Sequence, residues 1–186
     1  GQEALAKRTE EGLKDAVRYF QRAIDEDPEY ALAYTGLADS LTLQMNYRYI
    51  PKAANNASAQ AAIDKALSLD PSLGNAWASK GLWLSQQKGK IEQAKSALQR
   101  AMELNPSYGM AAMWYAGLLE NKEEQLTYYE KASALDPKST VAAYNVASLY
   151  QQFGRDHEAM QMFTLMINAD PYYPKAYELA ARISNR

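Results

Sequence analysis

The sequence predicts an all-α protein, a solenoid built from antiparallel pairs of short helices. Five helical segments end at an Asp-Pro or Asn-Pro pair, and proline stops a helix because it lacks an amide hydrogen and restricts the residue before it. These prolines are Pro28, Pro71, Pro106, Pro137 and Pro171, and they lie 43, 35, 31 and 34 residues apart. The spacing indicates repeated helical pairs that must stack to share a core.

Composition supports this class and excludes several functions. The chain has 186 residues, of which 47% are apolar and 23% charged, as in ordinary globular domains. Its formal net charge of -2, with both signs interleaved, provides no basic patch, so we expect no direct binding of nucleic acid. The absence of cysteine removes disulfides and thiolate chemistry but fits a reducing or an oxidising compartment.

Two features of the sequence concern membrane insertion and the location of the protein. No run approaches the roughly 18 apolar residues of a membrane span, so we expect no membrane insertion by this segment. Because the chain begins at Gly1 and not at methionine, we expect it to be part of a longer protein. A cytoplasmic location is favoured, and a periplasmic one would apply if a membrane anchor precedes the segment.

The first part, residues 1–28, is predicted to hold a partial leading helix and the second helix of a pair. In the second helix Ala16, Phe20, Ala23 and Ile24 fall on one face, which is the spacing of an amphipathic helix.

The next unit, about residues 29–71, is unusually long. Tyr34 and Leu41 mark its first helix and Ile63 its second, with about nine extra residues between Gln44 and Ser58. We expect these residues to form a spacer, with a contact loop or lid as the less favoured interpretation.

The units over about 72–106, 107–137 and 138–171 repeat the pattern with shorter middles. Small side chains recur where two helices must approach closely, and larger ones fill the layer between pairs. The small residues are Ala38, Gly81, Ala116 and Ala147 on first helices and Ala59, Ala94 and Ala159 on second helices; the larger ones are Ile63, Leu98, Tyr129 and Phe163. A last helix over 174–185 has no partner within the chain.

This pattern resembles the tetratricopeptide repeat, whose 34-residue unit reads W-x2-L-G-x2-Y, then A-x3-F-x2-A, then P. The residues that carry the resemblance most clearly are Trp77, Gly81, Leu84, Ala94, Leu98, Ala101 and Pro106. The resemblance covers the chain from about Leu13 as a single domain. It implies a right-handed superhelical solenoid that binds a peptide or a partner domain in a concave groove, without enzymatic activity.

A narrower resemblance concerns residues 8–13, 19–24 and 30–39. They are similar to the repeat regions of bacterial signalling proteins that join a winged-helix DNA-binding, cyclase or kinase domain to C-terminal repeats. This resemblance implies that partner binding regulates an attached output domain.

The family resemblance assigns ligand contacts to the face formed by first helices. The positions it marks as groove candidates are Leu32, Thr35, Asp39, Asn75, Ala78, Leu82, Met110, Met113, Tyr144, Ser148 and Gln152. Lysine and arginine are missing from this set. The carboxylate clamp, by which chaperone-associated members of the family hold acidic C-terminal peptides, is therefore not expected. Asn145 is the one residue that matches the clamp. Two alternatives stay open. Tyr172, Tyr173 and Tyr177 could join two copies, and the Met110–Tyr144 region could hold a small ligand.

No catalytic, cofactor or metal site is predicted. His157 is the single histidine and is expected to face solvent, since catalysis needs several convergent groups. The acidic pairs Glu10-Glu11 and Glu123-Glu124 lie near helix starts, where carboxylates favour the helix dipole. Asn56-Ala57-Ser58 matches a glycosylation sequon, which matters only in a secreted eukaryotic protein.

Overall fold

The computed structural model describes residues 1–184, and this part of the chain contains eleven helices and no strand. The predicted all-α class is therefore confirmed. The helices are α1 (Gln2–Ala6), α2 (Glu10–Glu26), α3 (Ala31–Asn46), α4 (Lys52–Leu69), α5 (Gly74–Ser85), α6 (Ile91–Leu104), α7 (Gly109–Ala116), α8 (Lys122–Leu135), α9 (Thr140–Gln152), α10 (Asp156–Ala169) and α11 (Pro174–Ser184).

The chain forms two compact units, unit 1 (Gly1–Pro106) and unit 2 (Ser107–Arg186). Unit 1 contains three helix pairs, α1 with α2, α3 with α4, and α5 with α6. Unit 2 contains α7 with α8, α9 with α10, and then α11. A single solenoid domain over residues 1–186 stays a prediction, and residue 185 of the predicted last helix lies outside the described residues.

One hydrogen bond recurs where a first helix follows a proline. Trp77 Nε1 donates to the Pro71 carbonyl at 2.9 Å, and two tyrosine hydroxyls make the same bond, each six residues after its proline. The tyrosine pairs are Tyr34 with Pro28 at 3.1 Å and Tyr177 with Pro171 at 2.7 Å. These bonds fix how each first helix leaves the turn that precedes it.

The core of unit 1 depends on small residues opposite large ones. Leu98 of α6 is fully buried against Gly81 of α5, where a side-chain carbon on Gly81 would overlap Leu98. Gly36 of α3 packs in the same way against the ring of Phe20. These close approaches explain why small residues alternate with large ones along the repeats.

The extra residues of the long unit form helix more than loop, which argues against a contact loop or lid over most of their length; their role as a spacer stays a prediction. Helix α3 continues to Asn46 and α4 begins at Lys52, so only residues 47–51 lie outside helices. With 16 and 18 residues, these helices exceed the 12 and 14 residues of α5 and α6. The insertion therefore lengthens both helices of the pair.

The lengthened pair is tied to both neighbouring pairs. Tyr49 Oη donates to the carbonyl of Arg8 at 3.2 Å, next to α2. On the other side, Asn56 Oδ1 accepts from Trp83 Nε1 at 3.1 Å and from Gln87 Nε2 at 2.8 Å. We call residues 44–58 the brace, because they connect all three pairs of unit 1.

Replacing Asn56 with alanine should destabilise the protein by about 1–2 kcal/mol, because two half-buried donors on α5 and its C-terminal turn lose their acceptor. The free energy of unfolding from urea denaturation measures this effect. Ser58→Ala removes an exposed hydroxyl from the same helix and serves as the matched control. Equal stabilities for the two variants would show that the brace adds nothing.

Unit 2 is closed by α11. Ala176 and Leu179 are fully buried and pack in one cluster with Ala143, Ala147 and Met166 of α9 and α10. As a hairpin, α11 lacks a second helix among the described residues, as expected from the sequence. It is not left unpacked, however, because it contacts α9 and α10.

Candidate functional site

The first-helix candidates in unit 1 are mostly enclosed. Leu32 is exposed and Asn75 is half-buried, whereas the side chains of the other four candidates are buried. The buried four are Thr35, Asp39, Ala78 and Leu82. Because these four side chains are buried, they offer little surface to a partner. Their contact with a ligand stays a prediction, and it requires a conformational change that exposes them.

Asp39 is a buried acid in the middle of α3, with an exposed fraction of only 2%. Burial raises its pKa to about 7, and the neighbouring Ser79 hydroxyl and the Arg8 guanidinium oppose that rise. Its Oδ1 atom has no hydrogen-bond partner among the described residues, and neither has Thr42 Oγ1 on the same helix. Ionising the Asp39 carboxyl therefore raises the free energy of the folded state.

In unit 2 the first-helix face has a distinct chemistry. Tyr144 of α9 is half-buried, and the Lys175 ammonium of α11 lies 5.3 Å from the centre of its ring. Arg182, two turns further along α11, places Nη2 3.4 Å from the Tyr144 hydroxyl. Neither cation forms a salt bridge with a carboxylate in the described part of the chain. We call Tyr144, Lys175 and Arg182 the α9–α11 site.

The two cations were missed because the last helix was not read as a first helix. Lys175 and Arg182 follow Pro171 at the same distances as Val141 and Ser148 follow Pro137, and Tyr177 makes the proline hydrogen bond of other first helices. This spacing was the available signal. The expectation that lysine and arginine are missing from the face is thus corrected for unit 2.

Other candidates on this face differ in accessibility. Ser148 is half-buried, with a hydroxyl oxygen that lacks a partner among the described residues, and Gln152 is exposed. Met113 is buried within α7, and Met110 is half-buried. Tyr144 packs against the buried cluster that contains Ala143, Met166 and Leu179. A small-ligand site in the Met110–Tyr144 region stays a prediction.

The tyrosines proposed for self-association have three different environments. Tyr172 is 89% exposed, whereas Tyr173 is half-buried against the core cluster of unit 2. Tyr177 is engaged by its bond to Pro171 and by an edge-on contact with Phe163, with ring centres 5.8 Å apart. Tyr172 is thus the most exposed of the three, and Tyr177 is 51% exposed despite these contacts.

The polar residues set aside as non-catalytic lie on the surface. His157 is exposed, with its Nε2 3.2 Å from the Gln161 amide nitrogen. Glu10 pairs with Lys14 at 2.7 Å, and Glu123 and Glu124 are exposed in the first turn of α8. No helix within residues 1–184 is both long and apolar enough to cross a membrane.

Comparison with known proteins supports the repeat pattern. Models of the tetratricopeptide repeat match residues 2–47 and residues 74–108. A search of proteins with curated descriptions finds no significant match. The match over residues 74–108 includes the pair α5 with α6, in which Trp77 and Leu98 reproduce the motif.

Several solved structures have a similar fold. TTC0263, a thermophilic TPR protein from Thermus thermophilus, is 20% identical with a TM-score of 0.66, and the match covers 94% of this chain and 90% of that one. YrrB, described as a TPR protein with an unusual peptide-binding site, is 23% identical with a TM-score of 0.54 and coverages of 91% and 84%. MamA is 20% identical with a TM-score of 0.50 and coverages of 97% and 95%. At these identities the likeness concerns the fold.

Proposed function

Since this chain is a tetratricopeptide-repeat protein, we propose that it acts as an interaction scaffold without enzymatic activity and binds a peptide or a partner segment on its first-helix face. The α9–α11 site supports this proposal best, because there an aromatic ring of a first helix and two cations without carboxylate partners in the described part of the chain meet at an accessible surface. Regulation of an attached signalling or transcription domain by such binding belongs to the same proposal.

The chemistry of the α9–α11 site favours a carboxylate on the partner. Lys175 and Arg182 can each donate hydrogen bonds to an acidic side chain or a chain terminus, and a charge-assisted bond is stronger than a neutral one. Tyr144 lies between them and can contact an apolar part of the same peptide. Gln152, which is exposed, adds a polar group suited to a peptide backbone.

The support for these side chains favours binding without large rearrangement. Lys175 and Arg182 are carried by α11, which is anchored by the fully buried Ala176 and by the fully buried Leu179, about one helical turn from each cation. A helix anchored in this way keeps its surface groups near one geometry, which lowers the entropic cost of binding. The α9–α11 site is therefore preformed on the scaffold side.

Selection of displayed peptides on the immobilised protein should enrich sequences with aspartate or glutamate. For such a peptide, the double variant Lys175→Gln and Arg182→Gln should weaken the affinity about ten-fold or more, since two charge-assisted hydrogen bonds are lost. Fluorescence anisotropy measures the change.

Lys131→Gln and Lys138→Gln together remove two exposed charges elsewhere in unit 2 and serve as the control. The same loss of affinity in the control would assign the effect to net charge. Enrichment of neutral peptides that bind both double variants equally well would reject the α9–α11 site.

Self-association is a second candidate function, and the 89% exposure of Tyr172 favours it. Light scattering coupled to size exclusion across a range of concentrations should then show a dimer that Tyr172→Ser abolishes. A monomer at every concentration would remove this candidate.

A further inference from the structure

The turns of unit 1 are divided by charge. The turns within helix pairs, residues 7–9, 47–51 and 86–90, contain cations and no acid; the cations are Lys7, Arg8, Arg48, Lys88 and Lys90. The turns between pairs, residues 27–30 and 70–73, contain Asp27, Glu29 and Asp70 and no cation. Because helices of a pair run in opposite directions, the two sets of turns lie at opposite ends of the helices.

The cationic turns form one continuous edge. Tyr49 of the second turn bonds to the Arg8 carbonyl of the first turn at 3.2 Å. Lys52, at the start of α4, donates from Nζ to the carbonyl of Gln86 in the third turn. We call these three turns and Lys52 the basic edge. Three acids lie at nearby helix starts. Glu10 and Glu92 are paired with Lys14 and Lys95 at 2.7 and 2.9 Å, and Glu11 is exposed in the first turn of α2.

A cavity of about 590 Å³ opens on this edge between the second and third turns. Met45, Ile50 and Pro51 give it an apolar lining, while Arg48, Lys52 and Gln86 supply polar groups. The rings of Tyr47 and Tyr49 lie 5.8 Å apart beside it and are each 37% exposed. The cavity thus combines space for an apolar side chain with cations around its rim.

Arg48 adopts a backbone conformation that is costly for any residue with a side chain. Its φ is +60°, and the corresponding turns within the pairs α5–α6 and α9–α10 carry Gly89 at +73° and Gly154 at +72°. Glycine adopts this conformation without the steric cost that arginine incurs. An arginine at this position is best explained by use of its side chain, which lines the cavity.

We propose that the basic edge of unit 1 binds an acidic segment of a partner protein, with one apolar side chain of that segment inserted in the cavity. The apolar part of the lining, formed by Met45, Ile50 and Pro51, can contact a peptide side chain, whereas a phosphate backbone has no apolar group to place there. A long polyanion would also be repelled by the whole chain, whose net charge is -2. This surface is separate from the α9–α11 site, which lies in the other unit.

The experiment uses the whole chain and a pool of synthetic peptides with a central leucine, phenylalanine or methionine flanked by aspartate and glutamate. Amide chemical shifts recorded during titration should change at residues 45–52 and 86–90. Replacing the acids with glutamine and asparagine, or the central residue with glycine, should weaken binding about five-fold or more. Equal shifts with the neutral pool, or shifts confined to other residues, would overturn the proposal.

Arg48→Gly separates binding from folding. Because glycine suits the turn, this variant should have a higher Tm than the wild type, yet bind the acidic pool about five-fold more weakly. Lys131→Gln removes one exposed charge from unit 2 and should change neither property. Unchanged binding by the Arg48→Gly protein would refute the role of the cavity.

Two further outcomes are informative. Tyr144→Ala should leave the shifts at the basic edge intact, so a failure of the α9–α11 site would not be confused with a failure here. Tighter binding of single-stranded DNA or of anionic phosphatidylserine vesicles than of the peptide pool at the same salt concentration would reject an acidic protein segment as the occupant.

Discussion

Replacement of Asp39 with asparagine should make the protein more stable than the wild type above about pH 7. It should also remove a large part of the change in stability with pH below about pH 7. Burial raises the pKa of Asp39 from 3.8 to about 7 in the folded chain. Between these values the unfolded chain releases the proton while the folded chain keeps it, so the folded state binds more protons. The stability contributed by this group therefore falls as the pH rises from about 4 to 7 and is constant above.

The size of the effect follows from the pKa shift. Each pKa unit corresponds to about 1.4 kcal/mol, so the ionised Asp39 costs the folded state roughly 2–4 kcal/mol. The measurement is the free energy of unfolding of both proteins by urea between pH 4 and 9. The stability difference between variant and wild type should grow up to about pH 7 and then level off. Asp64→Asn, which removes an exposed carboxylate from α4, is the control.

A difference that shrinks or stays constant as the pH rises would contradict this account of Asp39. It would show that Arg8 and Ser79, the groups that oppose the rise in pKa, compensate for the burial of the ionised form.

Truncation of Leu98 to alanine should cost about 3 kcal/mol of unfolding free energy, as is usual for a fully buried leucine whose removal leaves a cavity. Leu98 is 0% exposed and fills the space beside Gly81, where α5 and α6 approach closely. The rigid backbones on either side limit how far the core can collapse into the space. Chemical denaturation at neutral pH measures the loss.

Leu32→Ala provides the matched control, because it deletes the same atoms at a position that is 40% exposed. Its effect should stay below about 1 kcal/mol. If both substitutions cost the same, the packing of Leu98 against Gly81 would not be the source of the stability.

The helical pairs were predictable because their signals are local. Proline ends a helix by its own covalent structure, so Pro71 and Pro106 marked boundaries irrespective of the surroundings. Gly81 and Leu98 were also recognisable as a small and a large core residue, since apolar side chains recur with the helical period. Leu98 was assigned to the layer between pairs, however, whereas it packs against Gly81 within its own pair.

The candidate site was less predictable because it depends on contacts between distant residues. The burial of Asp39 involves Ser79 and Arg8, which are far from it in sequence, and no periodicity specifies such a contact. Lys175 and Arg182 carried a usable signal in their distance from Pro171, but the last helix was interpreted as unpaired. The extra residues at 44–58 were interpreted as a spacer, with a contact loop or lid as the less favoured alternative, although the alanines among them favour helix and extend α4.

The brace also limits the modularity of this protein. Repeat arrays are often treated as interchangeable blocks, in which a unit can be deleted or duplicated while its neighbours close up. Removing the α3–α4 pair here would leave Trp83 and Gln87 without their shared acceptor and the Arg8 carbonyl without its tyrosine donor. The first three pairs are thus adapted to one another, so an engineer or a recombination event would have to exchange them together.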